Sequence, residues 1–265
     1  MITPKITLLT DFGLQDSYVA QMKGVILSRA PNSQIIELSH DIQPQNVWQA
    51  AVFLSEAVPR FPADTIHLAV IDPGVGSARR IIAAKILDQT LVLPDNGLLS
   101  VLLANHHCTQ LVQVEANLVN DCVSSNTFHG RDIMAPAVAR LASGAPLEEL
   151  GISSIEASEL VRLEQAPPNL DGETISMTVF RIDHFGNVIT NAPASWLKGF
   201  SNLGVSIDSE TQLADVVPNY SEGAEGQLVA LASSDGLLEL AIRDGSAAKR
   251  LGFKCGQRIR AKLQR

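Results

Sequence analysis

Short apolar runs alternate with helix-periodic segments through the first 150 residues, and this alternation restricts the fold more than any other feature. Runs at 6–10, 34–38, 65–71 and 89–93 have the length and composition of buried strands. Between the first two, Tyr18, Val19, Met22, Val25, Ile26 and Leu27 recur at helical spacing after Asp16 and Ser17, residue types that favour helix N-termini. Asn46 is placed to cap a helix through Val47, Ala50, Ala51 and Leu54. Residues 131–142 (RDIMAPAVARLA) also read as helical, with Pro136 fitting a first turn or marking a kink. Such alternation builds β-α-β units around a mainly parallel sheet.

The pattern breaks at 158–172 (SELVRLEQAPPNLDG), a polar stretch with a Pro-Pro pair and an Asp-Gly turn signal. Beyond it ISMTVFRID, QLVALAS, LLELAI and QRIRAKL are strand-like and bounded by Gly, Asn and Asp, with little helical periodicity. The expectation is an N-terminal α/β domain over 1–165 and a smaller C-terminal β domain, a barrel or a sandwich, over 166–265. No repeat or low-complexity tract interrupts either half.

Charge excludes several classes of partner. The formal charge is -8 and the basic residues are scattered, so no stripe suits a nucleic-acid backbone or an anionic membrane surface. No apolar run approaches the roughly 20 residues of a membrane span. The opening MITPKITLLTDFG lacks a basic stretch ahead of a small-residue cleavage site, from which a cytoplasmic location is expected. Cys108, Cys122 and Cys255 are widely separated, without metal or redox spacing, and read as reduced structural thiols.

Four polar clusters fall where strands should end: TDFG (10–13), DPGVGS (72–77), PDNG (94–97) and TFHGRD (127–132). In open α/β sheets ligands bind at the carboxyl ends of strands, so the four are placed to converge on one crevice. Any one alone is an ordinary turn. Gly74-Val75-Gly76 lacks the third glycine of a dinucleotide fingerprint and the Lys-Ser/Thr pair of a phosphate loop. His129 by itself fits a hydrogen-bonded structural histidine, Arg79-Arg80 a solvated surface pair, and Asp183 to Asn187 a hairpin turn.

Together, TDFGLQDSYV, VIDPGVGSARR, PDNGLL, TFHGRD and IDHFGN resemble, in order and spacing, the S-adenosylmethionine hydrolase (adenosine-forming) family, also called hydroxide adenosyltransferases, relatives of the fluorinases and chlorinases. The resemblance implies an α/β domain followed by a β barrel, and a homotrimer with active sites between subunits. It assigns Asp72, Arg79 and His129 to catalysis around a bound water. The halogenating relatives carry Tyr in place of this Asp, and Tyr-Ser in place of His129-Gly130, which sets this chain on the hydrolytic side. Asp11 is implied to bind the ribose hydroxyls, Asp183 the methionine ammonium and Asn187 the adenine edge, with Asp16, Ser17 and Ser234 towards the methionine end. Two positions depart from the halogenases: Asp235 stands where they have Arg, and Ile189 where they have Trp.

The implied chemistry suits these residues. A sulfonium leaves as a neutral thioether and needs no general acid, so the site must orient and deprotonate water behind the ribose 5′ carbon. No cofactor and no metal is required; S-adenosylmethionine is the substrate and adenosine a product. Two other readings stay open at this point. Asp11, Asp72, Asp95, Asn96, His129 and Asp132 are also the donor types of a metal-dependent hydrolase of a nucleotide-like substrate. A trimer that binds adenosine or S-adenosylmethionine without turnover would carry the same binding residues.

Overall fold

The first apolar run forms β1 (Lys5–Thr10), whose alternating side chains feed two different cores. Ile6 and Leu8 pack with Met22 and Ile26, whereas Leu9 packs with Ala50 and Leu54. A strand with both faces covered is what a layered α/β unit demands. This is a computed structural model that describes residues 3–120, 125–152, 155–164, 166–207 and 210–265. The chain divides into two units, Met1–Leu163 and Glu164–Arg265.

The first unit continues with β2 (Gln34–Ser39), β3 (Ile66–Val70), β4 (Ile81–Ile86), β5 (Gln89–Pro94), β6 (Cys108–Val114) and β7 (Gly151–Ile152). Their order in one seven-stranded sheet is β2-β1-β3-β5-β4-β6-β7. β2, β1, β3 and β5 pair in parallel, and β4 is antiparallel to both β5 and β6. Five of the seven strands therefore run the same way, which makes the sheet mostly parallel.

Two helices make the crossovers. α1 (Tyr18–Arg29) buries Val19, Met22 and Ile26. α2 (Val47–Ala57) buries Ala50, Ala51, Val52 and Leu54, and the Asn46 side chain caps it by accepting from the Gln49 N–H at 2.9 Å. Such a cap contributes about 1 kcal/mol.

Three sequence expectations need correction. β2 is not the buried strand expected but an edge strand with half-exposed side chains, paired only with β1. The β4–β5 hairpin, absent from the sequence reading, turns through Leu87 and Asp88 at φ 54° and 56°. The TFHGRD cluster does not end a strand. His129 stands at the entrance of a wide helical turn, Gly130–Met134, which runs into the helix Ala135–Ala142 with Pro136 in its first turn.

In the second unit β8 (Asn169–Asp171), β9 (Thr174–Ile182), β10 (Val188–Pro193), β11 (Asn202–Ile207), β12 (Glu210–Val216), β13 (Leu228–Ala232), β14 (Leu237–Ile242) and β15 (Arg258–Gln264) follow in turn. Seven of them close a ring, β9-β10-β14-β13-β12-β11-β15 and back to β9, with β8 added on the side of β9. The unit is thus a barrel and not a sandwich. Period-two alternation fills it: Ile259, Ala261 and Leu263 of β15 are buried, while Arg258, Arg260 and Lys262 between them are exposed.

Among the described residues no helix is long and apolar enough to cross a membrane. Cys108 and Cys255 are free thiols; Cys122 lies outside the described residues.

Candidate active site

Asp72 follows the end of β3, and the DPGVGS turn folds the chain back so that Arg79 meets it seven residues later. The turn is tied by Val75 N–H to the Asp72 carbonyl (3.2 Å), Ser77 N–H to the Gly74 carbonyl (3.0 Å) and Arg79 N–H to the Ser77 hydroxyl (3.2 Å). Gly76 has φ 80°, and a Cβ there would lie 2.7 Å from the Asn126 carbonyl oxygen. Only glycine lets this turn pass so close to the segment that carries His129.

The result is a chain of three side chains. Arg79 Nε donates to both Asp72 carboxylate oxygens at 2.9 and 3.0 Å, and its Nη2 makes a further bond to Oδ2. The same Nη2 donates to His129 Nδ1 at 2.9 Å. The Asp72 and Arg79 side chains are only 6% and 10% exposed, so little solvent screens them. A guanidinium has hydrogens to give and no lone pair, so His129 Nδ1 must accept. That leaves the hydrogen of the neutral ring on Nε2. Burial lowers the His129 pKa, with the Arg79 charge adding to the effect and Asp72 and Asp132 opposing it.

Asp72 and His129 line a cavity of about 540 Å³ together with Asp11, Phe12, Tyr18 and Phe128. Asp11 Oδ2 accepts the Gln45 N–H at 2.7 Å, which leaves the carboxylate further lone pairs. Phe128 meets Phe12 and Tyr18 edge to face and those two rings are tilted against each other, with centroids 5.2 to 5.8 Å apart, and the Arg131 guanidinium sits 5.0 Å from the Phe128 ring centre. The sequence reading missed this aromatic wall. Its signal was present, since all three rings stand inside motifs already singled out for their polar residues. Asp16 and Ser17 are exposed and outside the cavity lining, and the Ser17 hydroxyl accepts from Gln21 Nε2 at 2.7 Å.

The other implied residues belong to the barrel unit. Asp183 and Asn187 line a separate cavity of about 590 Å³ with Phe185, Tyr220 and Arg243. Asp183 Oδ1 accepts the N–H groups of Phe185 (3.0 Å) and Asn187 (2.8 Å), and Oδ2 accepts Asn187 Nδ2 at 3.0 Å. Gly186, at φ 85°, closes this loop against Ser246. Ser234 is exposed on the β13–β14 turn and does not line that cavity; its neighbour Asp235 lies 3.9 Å from Arg181. Ile189 is buried in the barrel wall.

Of the four carboxylates proposed as metal donors, Asp11 accepts the Gln45 N–H and the other three are matched by arginines. Asp72 is held by Arg79, Asp95 by Arg80 at 2.6 and 2.9 Å, and Asp132 by Arg131 at 2.6 and 2.8 Å. Asn96 donates to the Ile71 carbonyl at 2.9 Å. No group of three His, Cys, Asp or Glu side chains among the described residues has the geometry of a metal site.

Comparison with known proteins covers both units. The family model described as the SAM hydroxide adenosyltransferase N-terminal domain matches residues 6–151, and that of the C-terminal domain matches 177–260. The chain is 40% identical to an (R)-S-adenosyl-L-methionine hydrolase of Salinispora tropica over 97% of each chain. It is 28% identical to a fluorinase of Nocardia brasiliensis over 98% of this chain and 97% of that one. A solved structure of an uncharacterized conserved protein from Thermotoga maritima superposes with a TM-score of 0.89 at 34% identity, covering 98% of this chain and all of that one.

Proposed function

The chain belongs to the SAM hydroxide adenosyltransferase family, and on that premise we propose that it hydrolyses S-adenosylmethionine to adenosine and methionine. The observation that carries the reading is the Asp72–Arg79–His129 chain at a cavity that Asp11 also lines. Water oxygen bonds to the ribose 5′ carbon as the carbon–sulfur bond breaks. The electron pair of that bond stays on sulfur, giving the neutral thioether of methionine, and the water proton is released.

In this scheme Asp72 fixes the Arg79 guanidinium, and Arg79 in turn occupies His129 Nδ1. His129 therefore acts as a hydrogen donor through Nε2 more readily than as a base. A guanidinium and a ring N–H favour hydroxide over water, which makes charge stabilisation the main contribution of the triad. Asp11 binds the ribose hydroxyls, since one carboxylate can accept from both. Asp183 and Asn187 of the barrel unit complete the substrate site at the ammonium and adenine ends, with Asp16, Ser17 and Ser234 towards the methionine end.

The proposal extends to assembly as a cytoplasmic homotrimer with active sites between neighbouring subunits. Its support is the family resemblance together with apolar side chains left open at both cavities. Tyr18 and Val75 are 46% and 40% exposed at one, Phe185 and Tyr220 76% and 47% at the other.

Reaction in water enriched with heavy oxygen tests the chemistry. The label is expected in the adenosine 5′ hydroxyl, with methionine unlabelled and its methyl group retained. Label in homoserine or its lactone, alongside methylthioadenosine, would show attack on the methionine side and overturn the assignment of Asp72, Arg79 and His129. Recovery of intact S-adenosylmethionine would show a binding protein.

A further inference from the structure

Behind Asp11 lies a second polar network that the hydrolytic scheme does not use. β1 and β2 run in register from Lys5 opposite Gln34 to Leu8 opposite Glu37, but the next pair is Leu9 with Ser39. Leu38 is passed over as a bulge. The residue after Ser39, His40, is thereby brought level with the residue after Leu9, Thr10. Bulges re-aim side chains in this way at the ends of strands.

His40 is 5% exposed and Thr10 wholly buried. Thr10 Oγ1 lies 2.8 Å from His40 Nδ1, and His40 Nε2 bonds the Glu37 carboxylate. A carboxylate only accepts, so Nε2 carries a hydrogen, and in the neutral ring Nδ1 accepts a hydrogen bond from the Thr10 hydroxyl. Glu37 pairs in turn with Lys23 of α1. Burial raises the Glu37 pKa, and the bonds to Lys23 and His40 outweigh it, so the net direction is down.

The clamp closes around Asp11 from both sides. Thr10 Oγ1 also accepts the Phe12 N–H at 3.3 Å, and the His40 carbonyl accepts the Gly13 N–H at 2.8 Å. The chain leaving His40 returns through Gln45, at φ 65°, to give its N–H to Asp11 Oδ2 at 2.7 Å. Thr10 and, through its hydroxyl, Phe12 are thus tied to the buried His40 imidazole, Gly13 to the His40 carbonyl, and the Asp11 carboxylate to the chain that follows His40.

We infer that His40 is a positioning residue of this site: fastened between Thr10 and Glu37, it fixes the Asp11 turn, and affinity for the ribose depends on it. This rests on the reading of Asp11 as the ribose partner. His40 acts through Asp11, so KM and adenosine affinity should carry the effect while turnover stays nearly constant.

The test is a set of variants read by adenosine binding and by separate kcat and KM values. Thr10→Val, which removes the hydroxyl and keeps the shape, is expected to weaken adenosine binding and raise KM about tenfold, with kcat within about twofold. His40→Asn, which keeps a hydrogen-bonding group near the Nδ1 position, should retain much more affinity than His40→Leu. In an Asp11→Asn background Thr10→Val should add little, because its effect runs through the Asp11–ribose contact that Asp11→Asn has already weakened. A folded Thr10→Val protein with unchanged affinity, or effects that simply add in the double variant, would overturn the inference while leaving the role of Asp11 intact. If Thr10→Val fails to fold, equal affinities for His40→Asn and His40→Leu overturn it instead. Unimpaired adenosine binding by Asp11→Asn overturns the ribose assignment and the inference with it.

Discussion

At His129 two opposed influences set the charge of the ring. Burial and the neighbouring Arg79 favour the neutral form, whereas Asp72 and Asp132 favour the cation, and the net direction is below the ordinary value of 6.5. Protonation would put a hydrogen on Nδ1, where Arg79 already donates, and set two cations against each other. The acid limb of kcat/KM is therefore expected below pH 6.5. Asp132→Asn removes a carboxylate that raises the pKa and should move that limb further to acid; a pH profile shifted the other way contradicts the arrangement. His129→Ala should lower kcat by roughly 10² to 10³-fold, as loss of one stabilising donor does, whereas Asp11→Ala should act mainly on KM. At this scale the meeting of Asp11, Asp72 and His129 at one cavity was legible because each stands in a short glycine-bearing motif. The meeting of Gly76 with Asn126 and of Phe12 with Tyr18 and Phe128 was not, since those contacts join segments that periodicity treats as independent.

Among the elements, β3 carries a buried histidine with a different task. His67 is 1% exposed, lies 2.7 Å from Thr7 Oγ1 on β1 and 2.6 Å from Gln89 Oε1 on β5, and burial pushes its pKa down to about 4. Below about pH 6.5 the unfolded chain binds a proton that the folded ring refuses until about pH 4. Stability from this group is fully present above 6.5 and is lost as pH falls through that window, by up to ~1.4 kcal/mol per pH unit. Urea melts between pH 7 and pH 4 should show this slope, and His67→Gln should reduce it; an equal slope in the variant would place the titration elsewhere. β1, β3 and β5 were readable because runs buried on both faces are mostly apolar. The β4–β5 hairpin was not, because its two-residue turn places Leu87 and Asp88 at positive φ, where glycine or asparagine would have announced it. β6 has an exposed pair, Thr109 and Gln110, inside its first turn of pairing and so lacks a continuous apolar signal.

At the scale of the whole molecule the prediction concerns assembly. Light scattering is expected to give three chains per particle, and Phe185→Asp should shift the particle towards single chains and lower activity while the circular dichroism of the barrel is kept. A wild-type particle of one chain with full activity contradicts the trimer. The switch from helix-bearing to strand-only patterning made the two-part organisation legible, but the choice between barrel and sandwich depended on whether β9 and β15 pair, which no local pattern encodes. That pairing restricts how the gene can change in length. In the open sheet a residue gained or lost in an edge strand such as β2 can slip past one neighbour and be absorbed at the rim. In a ring the stagger must come back to its starting value after one circuit, so a slip in any strand has to be compensated all the way round. Insertions and deletions in the second half of the chain are therefore confined to the connections between strands, and relatives of different length should differ there and not within β9 to β15.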